Sequence, residues 1–109
     1  MSKDFTAIYK ILKFLDRNSG NEEYDLGTIS AEMLGISEAK WEQILIELQR
    51  NGYIDGVVYS KTLEDKFPHL AGTVQPRITL KGMEYLEENT FMKKASRFLK
   101  GIKEITPGV

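Results

Sequence analysis

The fold is decided by Ile36-Ser37-Glu38-Ala39-Lys40-Trp41-Glu42-Gln43-Ile44-Leu45-Ile46-Glu47-Leu48-Gln49-Arg50-Asn51-Gly52. Ser37 reads as an N-cap, its hydroxyl placed to accept from a backbone N–H of the first turn. Ile36 before the cap and Trp41 four residues after it have the spacing of a hydrophobic staple. Trp41, Ile44, Leu45 and Leu48 recur at i, i+3, i+4 and i+7, one stripe of an α-helix. Asn51-Gly52 ends the helix, because Gly carries no Cβ to clash in the left-handed C′ conformation.

Working outward, Ile29 to Gly35 holds a helix of less than two turns, with Ser30 as N-cap, Gly35 at C′, and Met33 and Leu34 turned inward. The very short connection to Ser37 makes the two helices cross steeply. After Gly52, Tyr53-Ile54 and Val57-Val58-Tyr59 are rich in β-formers, broken at Asp55-Gly56. That dipeptide reads as a bulge, since a two-residue hairpin there leaves strands too short. Lys61 to Thr73 reads as a wing loop, with Lys61, Lys66 and His69 near its tip. Val74 to Ile78 returns as a second strand, which Pro76 confines to an edge or a starting position. This order predicts an α+β, mostly α, winged helix-turn-helix domain with Ser37–Asn51 in the recognition-helix position.

Ser2 to Asn18 reads as a first helix, with Phe5, Ile8, Leu12 and Leu15 on one face and Ile11 and Phe14 widening the apolar arc. Thr79 caps another helix over 80–88, with Leu80, Met83 and Leu86 inward. Thr90 caps a last one. There Phe91, Ala95, Phe98, Ile102 and Ile105 fall at spacings of four, three, four and three, an a/d seam. The expected organisation is a winged domain over 1–90, an amphipathic helix over 91–106 and a tail over 107–109. The seam is too apolar to stay in water alone. Ile11 and Phe14 offer it a surface within the chain, and a homodimer through Phe91, Phe98, Ile102 and Ile105 is the alternative. One short helix without a lipid anchor is a weak membrane device, so no membrane partner is expected.

The chain has 109 residues, 41% of them apolar and 28% charged, the make-up of one globular domain. It has no Cys, which excludes disulfides and thiolate metal sites. Its start lacks an apolar signal region, and no apolar run nears the ~18 residues that span a bilayer, so a cytoplasmic protein is expected. The net charge of −1 is unevenly spread. From residue 91 onward Lys93, Lys94, Arg97, Lys100 and Lys103 stand against Glu104 alone, net +4, which leaves −5 for residues 1–90.

Catalytic chemistry is not visible. The single His69 sits between Pro68 and Leu70, and no HExxH, phosphate-binding loop or dinucleotide fingerprint occurs. Without a second His or a Cys, no general base completes a triad, so neither an enzyme nor a metal or cofactor site is expected. With Trp41, Ile44, Leu45 and Leu48 inward, the ~100° step per residue puts Ala39, Gln43, Ile46 and Arg50 outermost on the decisive helix. Lys40 and Glu47 flank one side, Glu42 and Gln49 the other. Gln43, Gln49 and Arg50 have the chemistry to read bases, but Glu38, Glu42 and Glu47 face a phosphate backbone unfavourably. Ile46, ringed by Gln43, Glu42, Glu47 and Arg50, reads first as an ordinary exposed Ile, second as a protein contact and third as a contact to a thymine methyl.

Here the residues carry a resemblance. Leu34-Gly35-Ile36-Ser37, Asn51 through Val57, Tyr59-Ser60, Pro68-His69-Leu70 and Ile78-Thr79-Leu80-Lys81-Gly82-Met83-Glu84-Tyr85-Leu86 resemble the YjcQ-like family, small proteins of Gram-positive bacteria and their prophages. The resemblance covers most of the chain. It implies a winged-helix fold and a phage or prophage origin, and supplies no biochemical role. Two functions are therefore expected. One is a DNA-binding transcription regulator of phage or prophage type, using Lys40, Gln43, Gln49, Arg50, Lys61, Lys66 and Arg77 on duplex DNA. The other is a protein-interaction module, using Glu42, Ile46 and Glu47 on a protein partner.

Overall fold

The computed structural model describes residues 3–72 and 75–89 of the protein. The elements in order are α1 (Lys3–Arg17), a 3-10 turn (Leu26–Ile29), α2 (Ala31–Leu34), α3 (Glu38–Arg50), β1 (Ile54–Asp55), β2 (Tyr59–Ser60), β3 (His69–Leu70), β4 (Arg77–Ile78) and α4 (80–89). The chain is mostly α with small antiparallel ladders, and its helix–turn–helix followed by a hairpin is winged-helix-like. The tail expected over 91–106, its seam and the end at 107–109 lie outside the described residues.

The helix ends follow the local sequence. The Ser37 hydroxyl accepts from Lys40 N at 3.1 Å, and the Ser30 hydroxyl from Met33 N. At the end of α3, Gly52 sits at φ +83, with Gly52 N donating to Gln49 O and Tyr53 N to Leu48 O. These two bonds are a Schellman closure, and α2 ends the same way at Gly35. Lys81 then donates to Asn51 O at 2.9 Å, a cation at the negative end of α3. Trp41 is half-buried and its indole N–H donates to Ile29 O at 2.7 Å, tying α3 to the turn before α2.

The core lies between α1 and α3. Ala7, Ile11, Leu12 and Leu15 join Ile29, Ile44, Leu45, Ile46, Leu48, Ile54, Val57 and Leu86 in one cluster. β1 pairs with β4 (Ile54 with Ile78, Asp55 with Arg77) and β2 with β3 (Tyr59 with Leu70, Ser60 with His69). Residues 56–58, with Gly56 at φ +90, separate β1 from β2, and the two belong to different two-stranded ladders, so the bulge expected within one strand at Asp55-Gly56 is instead a break between two strands. α4 comes so close to the chain before it that a Cβ on Gly82 would lie 2.3 Å from Tyr53 O.

Four further expectations are corrected. His69-Leu70, read as wing loop, is strand β3. Met33 and Leu80 are 67% and 78% exposed, each about 200° around its helix from a buried residue, Ala31 or Gly82. Ile11 is fully buried, and Phe14 packs its ring edge-on to Tyr24 at 5.5 Å. Ile11 is thus core and Phe14 is half-buried against Tyr24, rather than the open surface expected for the tail. Ile46 is the fourth and bears on function.

Candidate interaction surface

Ile46, expected at the outermost line of α3, is 0% exposed. It lies about 100° and 200° from Leu45 and Ile44, so the stripe those residues form cannot bury it. A second layer does. α3 packs against β3, and Val57 and Leu70 belong to the same apolar cluster.

Polar side chains of α3 fasten that layer. Gln49 donates from Nε2 to Val57 O at 2.8 Å and accepts from Val57 N at 2.5 Å. Its amide thus satisfies both backbone groups of one residue, as a strand neighbour does. Gln43 donates to Pro68 O at 3.3 Å. Glu42 meets His69 Nδ1 at 3.0 Å, and the other ring nitrogen lies 3.9 Å from Asp65. At the hairpin tip the Asp65 carboxylate accepts from Thr62 N and Oγ1, and these bonds hold its pKa below the ordinary value.

The remaining candidates are dispersed. Lys40 pairs with Asp4 at 3.2 Å and Arg50 with Glu47 at 3.5 Å, all four well exposed. Arg77 is turned back into the domain. It donates to Glu22 O at 2.8 Å and to Asn18 O, and lies over the Tyr24 ring at 5.2 Å. The Tyr24 hydroxyl donates to Pro76 O, and its half-burial raises its pKa although Arg77 opposes this. Lys61 and Lys66 are exposed on the hairpin tip, but so are Leu63 and Phe67, with Glu64 and Asp65 among them. No surface of clustered cations forms from the seven residues named for DNA. Of the protein-contact trio, Glu42 and Glu47 have partners within the chain and Ile46 is inaccessible.

A different surface was not expected from the sequence. Between the start of α1, the length of α3 and α4 runs a groove of about 460 Å³ lined by Phe5, Ile8, Ile44, Leu48, Tyr53 and Tyr85. Tyr53 and Tyr85 meet edge-on at 5.4 Å, and burial raises the Tyr85 pKa, with Tyr53 adding to it. A smaller pocket of about 160 Å³ bordered by Glu84 and Glu88 adjoins the same two tyrosines along α4. Phe5, placed by the sequence on one face with Ile8, Leu12 and Leu15, is instead 55% exposed at this groove. Among the described residues no group of acidic or His side chains could hold a metal ion, and no helix is long and apolar enough to cross a membrane.

Fold and surface together define a winged-helix-like α+β domain whose third helix is covered at Ile46, while Ala39, Lys40, Glu47 and Arg50 stay exposed. The chain belongs to the YjcQ family: the YjcQ protein family model matches residues 9–105. It is 38% identical over 76 residues, 70% of this chain and 76% of the relative, to the uncharacterized protein YjcQ of Bacillus subtilis (strain 168). No solved structure matches the chain.

Proposed function

We propose that this protein is a protein-interaction module on a winged-helix-like scaffold, which does not read DNA through its third helix. The carrying observation is the enclosure of Ile46 beneath the β2–β3 hairpin. A helix that reads bases must present one face to the major groove. Here Gln43 and Gln49, the two amides suited to that task, hold the hairpin instead, and Glu42 engages His69. Residues 1–90 carry net −5, and backbone phosphates supply most non-specific affinity only to a cationic surface. The exposed apolar residues Val58, Leu63 and Phe67 on the hairpin suit a protein contact better than a groove contact.

The test is an anisotropy titration of the full chain against a random duplex at low salt, beside a Lys61→Ala/Lys66→Ala variant. The expected result is no saturable binding tighter than about 10⁻⁴ M, the weak end of non-specific association. Binding near 10⁻⁶ M that the wing variant weakens by tenfold or more restores the regulator reading, with the wing as its contact.

A further inference from the structure

We infer that the groove between α1, α3 and α4 is the seat of the chain's own C-terminal segment, residues 91–106, docked in cis. Four observations lead there. The first is geometry along α3. The groove follows that helix from Lys40 to Asn51, eleven residue steps, or about 16 Å at ~1.5 Å per residue. The part of the seam from Phe91 to Ile102 also covers eleven steps, with four apolar side chains at a/d spacing, and Ile105 lies one step of three beyond it.

The second is where the chain leaves the domain. Tyr85 lines the groove, Glu88 borders its continuation, and Asn89 still donates to Tyr85 O at 2.8 Å. Asn89 is one turn past the groove-lining Tyr85, and residue 91 is only two positions further along the sequence. A short connection of this kind gives an effective concentration in the millimolar range, which a second copy does not reach at ordinary protein concentrations.

Charge is the third. Asp4, Glu47, Glu84 and Glu88 edge the groove and its continuation against Lys40 and Lys81, on a domain of net −5. The segment offered to them carries five cations and one acid. The fourth is the closure of the other candidate surface, at Ile11 and Phe14. Among the described residues the groove is an apolar pocket that borders α1. The inference is independent of whether the protein binds DNA.

The absence of cysteine makes the test direct. Ala95→Cys lies in the seam, Glu47→Cys on the groove edge and Thr28→Cys on the exposed 3-10 turn away from it. The full chain carrying Ala95→Cys with either partner is treated with a short bis-maleimide, after thermal melts confirm folding. The expected product of the Glu47→Cys pair is an intramolecular cross-link formed at least tenfold faster than with Thr28→Cys. Adding Phe98→Ser and Ile102→Ser should remove that advantage. A cross-linked dimer assigns the groove to a second copy and overturns docking in cis. Equal rates for the two pairs, or an advantage that survives the serine substitutions, overturn it as well.

Discussion

At the scale of single residues, Ile46 separates the two ways of reading α3. Were it a surface contact, truncating it would leave stability unchanged. Enclosed at 0% exposure, it should behave as core. Ile46→Ala is expected to cost about 2–5 kcal/mol through lost burial and the cavity left behind. Ile46→Glu should cost more, because an unpaired carboxylate would be enclosed. Urea titration followed by the fluorescence of Trp41, the single tryptophan, measures both. A change under about 0.5 kcal/mol for the alanine variant contradicts the enclosed position. Tyr24 gives a pH signature. Its raised pKa means that the folded chain favours the neutral phenol, which donates to Pro76 O. The stability it adds is therefore fully present below its ordinary value of about 10, and is lost as pH rises through the raised one. Tyr24→Phe should cost about 1 kcal/mol at pH 8, where the donor is removed from a backbone acceptor. The gap between wild type and variant should narrow at pH 11, and urea titrations at the two pH values check this.

At the scale of elements, local signals and distant ones part company. The ends of α2 and α3 were legible in Ser30, Gly35, Ser37 and Gly52, because a cap or a Schellman turn is settled within a few residues. The core stripe of α3 was legible for the same reason. The hairpin was not. β2 and β3 pair over two residues each, too short for any alternation to show. The bonds that seat it join residues 8 to 27 positions apart. The one sequence signal was Ile46 itself, an apolar residue opposite an apolar stripe, which asks for a second layer over the helix. The groove was hidden similarly, since its walls come from four separate segments. If Gln49 holds the hairpin as it stands, Gln49→Ala strips two partners from half-buried backbone at Val57. The expected cost is about 1–3 kcal/mol. Hydrogen exchange should quicken at 57–60 and 69–70 while α1 keeps its protection. Uniform loss of protection would mean that the hairpin has no separate stability. The exposed pair of Glu42 and His69 should matter far less, about 0.2–1 kcal/mol by Glu42→Gln.

At the scale of the whole molecule, the governing feature is a division of charge that net −1 conceals: −5 on residues 1–90 and +4 on 91–109. A domain of net −5 repels itself, and a cationic segment seated along its acidic groove offsets that repulsion. Replacing Lys93, Lys94, Arg97, Lys100 and Lys103 together with Gln takes the segment from +4 to −1 and the chain to −6. The apolar seam is untouched, and the salt dependence separates charge from the packing of the lysine stems. At 0.01 M salt the screening length is about 30 Å, longer than the ~16 Å groove, and at 1 M it is about 3 Å. The variant should therefore melt several degrees below wild type at the lower salt, about 1 kcal/mol giving roughly 4–8 °C in a domain near this size. At 1 M salt the two should melt together. A difference that persists at high salt would reflect lost packing by the lysine stems, and no difference at either salt would mean that the segment's charges do not sense the domain. Only the salt-dependent gap fits a chain whose two halves are held together partly by opposite charge.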